Sequence, residues 1–167
     1  IRGKERKLYF FNNGRVVFSC LVAFGQAGLG KQEEGDKKTP LGEYKIKWMI
    51  DKTEIIAEKT YCIKDTELYF GDLKDAKLTP EEFKIAQDEK LWTNAYGGYI
   101  MALNYPNKKD KKNGKTGSCI ELHASPKLAK QGFKEYKGTL GCVALLPNDA
   151  KKLYELVEPG TSVMIRN

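Results

Sequence analysis

The chain has 167 residues, 41% of them hydrophobic, with no long polar tract at either end, so it is the size of one domain with its own core. No apolar run nears the roughly 20 residues that a helical membrane span needs, so no spanning segment is expected. The excess of 29 Lys plus Arg over 22 Asp plus Glu favours acidic partners. The lysines are scattered except in "NKKDKKNGK" (107–115), and no RNA- or DNA-binding motif accompanies them, so nucleic acid is not expected as a partner.

A start on Ile1 and a charged "RGKERK" reads as neither a signal peptide nor a complete gene product, which leads us to expect further domains in the full-length protein. "KLYFF" and "RVVFSCLVAFG" flank "NNG", a hairpin signal because Asn and Gly tolerate positive φ. Val16, Phe18, Cys20, Val22 and Phe24 fall on one face of the second run and Val17, Leu21 and Ala23 on the other. Both faces are apolar, which predicts a buried strand with Cys20 in the core. Residues 25–42, rich in glycine and charge, read as a loop, and "EYKIKWMI" alternates as a strand, giving a β-meander with one long connection.

The region 51–117 is less regular and reads as an insertion or lid. Within it, "TPEEF" offers Thr79 as N-cap, Pro80 at the first helical position and Glu82 to complete a capping box, so a short helix is expected there. "GGYIMALNYP" and "SCIELHAS" read as strands joined by the lysine-rich segment as a solvated hairpin loop. "LPNDAKKLYELVEPG" puts Ala150, Leu153, Tyr154 and Val157 on one helical face, before a last strand "TSVMI". The fold class is mainly β with a few short helices.

Four cysteines without a C-x-x-C pair, beside a single histidine, make a metal site improbable, and no metal or organic cofactor is expected. If Cys142 is a free nucleophile, at most one disulfide can form among Cys20, Cys62 and Cys119. Cys119, Glu121 and His123 share one face of their strand by two-residue alternation. Nineteen residues after His123 comes "TLGC", in which Cys142 is either the first core residue of "CVALL" or a nucleophile on a tight turn with His123 as base. Gly141 would let the backbone approach a substrate carbonyl, and N–H groups around Cys142 could bind the resulting oxyanion.

His123, fifteen intervening residues, and Thr139-Leu140-Gly141-Cys142 together resemble the signature of the L,D-transpeptidase catalytic domain of bacterial cell-wall enzymes. "DKKTPLGEYKI" resembles the family's Thr-Pro-x-Gly-x-Tyr segment, and "LPNDAKKLYELVEPGTSVMI" its closing helix, turn and strand. The resemblance implies a single L,D-transpeptidase-like β-sandwich domain over 1–167. It further implies Cys142 as nucleophile, His123 as base, the Ala124 carbonyl orienting the imidazole, and the Gly141 backbone at the site. Thr139 and Leu140 would contact substrate. Tyr99, with Trp92 and Tyr96, would line an acceptor groove.

The implied reaction is acyl transfer on peptidoglycan stem peptides through a thioester, in the periplasm or elsewhere in the cell envelope. Leu140 and Ala144 stand where the family commonly has His and Arg, which tilts the expectation towards an L,D-carboxypeptidase over a cross-linking or protein-anchoring transpeptidase. A non-catalytic cell-wall binding module is the alternative of another class.

Overall fold

The computed structural model describes residues 1–51, 60–63, 67–70 and 97–167, the second and third of these as backbone. The helix expected from Thr79, the residues Trp92 and Tyr96, most of the expected insertion and the side chain of Cys62 lie outside the described residues.

The chain opens with the expected hairpin. Strands β1 (Lys7–Asn12) and β2 (Arg15–Leu21) pair antiparallel around Asn13 and Gly14, whose φ values of 49° and 76° are those a tight two-residue turn requires. Only the far end of the second run is buried: Cys20 and Val22 to Phe24 enter the core, whereas Val16, Val17 and Leu21 are exposed. The expectation of a strand buried on both faces fails because β2 has one described partner strand, β1, and reaches the main sheet only beyond its end. There Ala23 bridges Ala144.

That main sheet has five strands. It is built from β3 (Gly42–Asp51), β6 (Tyr99–Leu103), β7 (Glu121–Ala124), β8 (Val143–Leu145) and β9 (Ser162–Ile165), in the spatial order β8-β7-β6-β3-β9. A separate pair, β4 (Thr60–Ile63) and β5 (Glu67–Phe70), lies between β3 and β6 in sequence. No β-meander forms, since β3 pairs with β6 on one side and β9 on the other and leaves β2 to the hairpin. The register of β3 slips between Ile46 and Trp48. Tyr44 and Ile46 therefore join the larger core cluster, while Trp48 and Ile50 sit across from Ala102 and Ile100.

The three helices among the described residues have local causes. In α1 (Lys108–Lys112), Asn107 accepts from the N–H groups of Lys109 and Asp110, and the Asp110 carboxylate accepts from Asn107 N–H, a reciprocal capping box. The lysine-rich segment is therefore a capped helical turn and not the expected solvated hairpin tip. Asp110 is buried beneath it and bound by Lys115 Nζ at 2.7 Å. Helix α2 (Pro126–Glu135) starts at Ser125, whose hydroxyl accepts from Leu128 N–H, with Pro126 at the first position. Helix α3 (Pro147–Leu156) buries Ala150 and Leu153, as its periodicity predicts.

The larger core cluster joins Ala150 and Leu153 to Met101, Leu103, Leu122, Val143 and Leu145, with Val22 and Phe24 from beyond β2. Each fully buried aliphatic side chain of this kind contributes about 1.5–3 kcal/mol. β7 and β8 run parallel, unlike the other neighbours in the sheet, and α2 lies in the crossover between them. Asp110→Ala should remove the helix cap and strand the Lys115 charge, lowering stability by about 2 kcal/mol in urea unfolding. An unchanged midpoint would mean that the capping box holds nothing in place.

Candidate functional site

The parallel pairing of β7 and β8 brings together the two halves of the sequence motif. Leu122 faces Val143 and His123 faces Ala144 in the register, so Cys142, immediately before β8, lies beside the start of β7. His123 is 5% exposed. Its Nδ1 lies 2.8 Å from the carbonyl oxygen of Ala124. A carbonyl can only accept, so Nδ1 carries the proton and Nε2 keeps the lone pair. The expected orienting role of the Ala124 carbonyl thus has its geometry. Burial pulls the imidazole down to about 4, so it is neutral at pH 7 and able to take up a proton.

Cys142 sits on a turn held from several sides. Its carbonyl oxygen accepts the hydroxyl of Thr139 at 2.7 Å and that of Thr39 at 3.3 Å. Thr139 Oγ1 also accepts the N–H of Gly141 at 3.0 Å, and Thr39 Oγ1 accepts that of Gly25 at 2.9 Å. Gly141 has φ +149°, and a Cβ there would lie 3.1 Å from both Ile120 Cδ1 and the carbonyl oxygen of Lys38. A side chain at this position would be strained and crowded.

The thiol of Cys142 points to Cys119 and Glu121: Sγ lies 3.2 Å from the Cys119 carbonyl oxygen and 3.7 Å from Glu121 Oε2. Cys119 has φ +53°, the left-handed region uncommon for a side chain of this size. Burial first, then the neighbouring Glu121, pushes the Cys142 thiol well above its usual range. Burial likewise pushes Glu121 up to about 8. At neutral pH the resting site therefore holds a thiol, a carboxylic acid and a neutral imidazole. Cys20, Cys119 and Cys142 are all free thiols, and no metal-binding cluster of acidic, Cys and His side chains occurs among the described residues.

Not every expected residue takes the place assigned to it. Thr139 is buried and its hydroxyl donates to the Cys142 carbonyl, so in the resting site it holds the turn. The Gly141 N–H is taken by Thr139, whereas the N–H of Cys142 itself has no acceptor among the described residues and remains available to an oxyanion. Leu140, 72% exposed, stands at the tip of the turn beside Cys142. Tyr99 is elsewhere: its strand neighbour Ile100 is the one opposite His123, so Tyr99 points to the other face, where its ring packs 5.5 Å from that of Tyr154.

Two residues that sequence reasoning left out belong here. Thr39 was visible only as part of the Thr-Pro-x-Gly-x-Tyr segment, and Glu121 only through its alternation with His123.

Residues 1–165 match the YkuD family, the L,D-transpeptidase catalytic domain, and the chain belongs to that family. Its fold is similar to that of the helical cell shape determining protein Pgp2 from Campylobacter jejuni (TM-score 0.60, 24% identity, covering 98% of this chain and 45% of that one). It is also similar to Bd1075 from Bdellovibrio bacteriovorus (TM-score 0.58, 23% identity, 99% and 45%) and to an L,D-transpeptidase from Enterococcus faecium (TM-score 0.54, 14% identity, 98% and 47%). The chain spans a little under half the length of each of these structures. No curated protein sequence matches it.

A histidine buried neutral makes stability rise with pH between its folded value of about 4 and its unfolded value of about 6.5, because the unfolded chain binds the extra proton across that window. The melting temperature of the wild type minus that of His123→Gln should therefore increase by on the order of 5 °C from pH 4.5 to pH 7. A flat difference would show that His123 is not held neutral in the fold.

Proposed function

We propose that this domain is a cysteine-dependent acyltransferase of peptidoglycan stem peptides, acting in the cell envelope as an L,D-carboxypeptidase. The observation that supports the reading is the register that sets the Cys142 turn at the start of β7, on the strand of a buried histidine whose Nδ1–H is fixed by the Ala124 carbonyl, the tautomer in which Nε2 is the basic nitrogen. Family membership supplies the substrate class.

In the first step the Cys142 S–H proton passes to His123 Nε2 as sulfur attacks the carbonyl carbon of the L-centre residue of the stem. The oxyanion forms towards the Cys142 N–H, and the imidazolium returns its proton to the departing amine of the terminal D-amino acid, leaving a thioester. In the second step His123 takes a proton from water, hydroxide adds to the thioester, and the sulfur leaves as the thiol, protonated by the same imidazole. An acceptor amine in place of that water gives the transpeptidase outcome.

The choice of water rests on what surrounds the sulfur. Ala144 is fully buried and exchanges two backbone hydrogen bonds, 2.9 and 2.8 Å, with Ala23. It offers no cation to anchor a second stem peptide. The exposed Leu140 beside the turn offers none either. A transpeptidase must orient an amine against the thioester and keep water out, which needs such anchors. Similarity to a helical cell shape determining protein is in keeping with trimming of stem peptides as a means of shaping the wall.

Incubation with a disaccharide tetrapeptide, with and without excess D-amino acid, should release the tripeptide as the main product by mass spectrometry. Dominant exchange products or cross-linked dimers would replace the hydrolytic reading with the transpeptidase one. Cys142→Ala should abolish turnover, and His123→Ala should lower kcat by about a hundredfold or more, with both variants folded by circular dichroism. Turnover by pure Cys142→Ala would remove the thiol from the mechanism.

A further inference from the structure

Glu121 is a buried acid that the acyl-transfer scheme does not use. It opens β7, is 1% exposed, and its side chain has a single hydrogen-bonding contact among the described residues, its Oε2 lying 3.7 Å from Cys142 Sγ. Across the sheet its neighbour on β6 is Ala102, which offers it nothing polar. The titratable groups that act on it are the thiols of Cys119, just before β7, and of Cys142, just before β8. His123 lies two residues further along the same face. The loop 25–42 brings Lys31 against Gly117, but Asp36 neutralises that cation at 2.9 Å. With no cation facing it among the described residues, this buried carboxyl is expensive to keep ionised and is favoured as the acid. The side-chain atom it faces is the sulfur, which is therefore the group it can serve.

We propose that Glu121, in its protonated form, is a catalytic hydrogen-bond donor to the Cys142 thiolate, and that its ionisation suppresses that thiolate and sets an alkaline limit on the reaction. This inference rests on the proposed role of Cys142. As His123 takes the thiol proton, negative charge develops on a sulfur enclosed by protein, and the Glu121 carboxyl, whose Oε2 accepts the S–H in the resting site, is the side-chain group already facing it and, as the acid, donates to the thiolate. Glu121 keeps its own proton throughout the cycle, so the acyl-transfer balance is unchanged. Once the carboxyl ionises, the same geometry reverses sign: a carboxylate 3.7 Å from sulfur repels the thiolate and accepts the S–H, pinning the thiol. Glu121 is held as the acid up to about pH 8, so donation prevails at neutral pH and repression above pH 8.

Two measurements test this on wild type, Glu121→Gln and Glu121→Ala, each first shown to melt cooperatively. The first is the rate at which iodoacetamide alkylates Cys142, read peptide by peptide to separate it from Cys119, between pH 5 and pH 10. The amide of Glu121→Gln donates but does not ionise, so its Cys142 should react about tenfold faster than wild type near pH 9. Glu121→Ala should react about tenfold more slowly than Glu121→Gln at pH 7. The second is kcat/KM on the disaccharide tetrapeptide, whose alkaline limb should be present in wild type and displaced upward by at least one pH unit in Glu121→Gln. Superimposable wild-type and Glu121→Gln profiles, or equal losses at pH 7 in Glu121→Gln and Glu121→Ala, would overturn the proposal. The alkylation measurement needs no peptidoglycan, so an error in the assigned substrate would leave its outcome intact.

Discussion

The carbonyl oxygen of Cys142 is where the chain is tied together. Two threonine hydroxyls converge on it, one from three residues earlier in the same turn and one from a loop more than a hundred residues away. Each threonine also accepts a backbone N–H: Thr139 closes the turn on itself through Gly141, and Thr39 ties the turn to Gly25. Thr39 is in turn delivered by a loop organised around Asp36, whose carboxylate accepts from Lys31 Nζ and from the N–H groups of Gln32, Glu33 and Lys38. An ionised carboxylate gathering four donors is a firm local anchor, and its hydrogen bonds hold it well below the usual carboxylate range. The position of one sulfur thus depends on a charge cluster remote from it in sequence.

The site is electrically quiet at rest. Burial acts on acid, thiol and base alike, and in each case it favours the neutral form. This differs from the ready-made thiolate–imidazolium pair that an exposed Cys–His arrangement allows. A neutral pair avoids the desolvation cost of buried ions, and it makes charge separation an event of the reaction instead of a standing feature of the fold. The general basic charge of the chain lies outside this chemistry, on lysines such as those of α1 whose side chains reach solvent.

How much of this was legible beforehand follows the range of the interactions involved. The Asn13-Gly14 hairpin, the alternation of β3 and the buried stripe of α3 are written in local patterns, and the structure reproduces them. Sheet order is not local: β3 takes its partners from residues 48 or more positions away, so reading neighbours in sequence as neighbours in space gives a meander that does not form. The lysine-rich segment was misread because its charge drew attention from Asn107 and Asp110, the two residues that cap it. Helix α2 was missed although Ser125-Pro126 is a sound start signal, its Gly132 at φ 72° interrupting the periodicity. At the site, Cys142, His123 and Ala124 could be named from a motif. Glu121 could not, because alternation places it on the right face without saying that a cysteine from another strand will lie against it.

The fifteen residues between His123 and Thr139 acquire a geometric meaning from the pairing of β7 with β8. Strands that run the same way cannot be joined by a hairpin; the chain has to leave the end of one, travel back along the sheet and re-enter at the start of the other, which takes a dozen residues or more. Here Ser125 to Gly138 makes that return journey, with α2 as its vehicle. The interval in the motif is therefore a travel distance, and the sheet's hydrogen bonds, not the helix, decide where the imidazole and the sulfur stand relative to one another. The helix completes the trip and is seated on the sheet by Leu128, buried with Ala23 and Ala144.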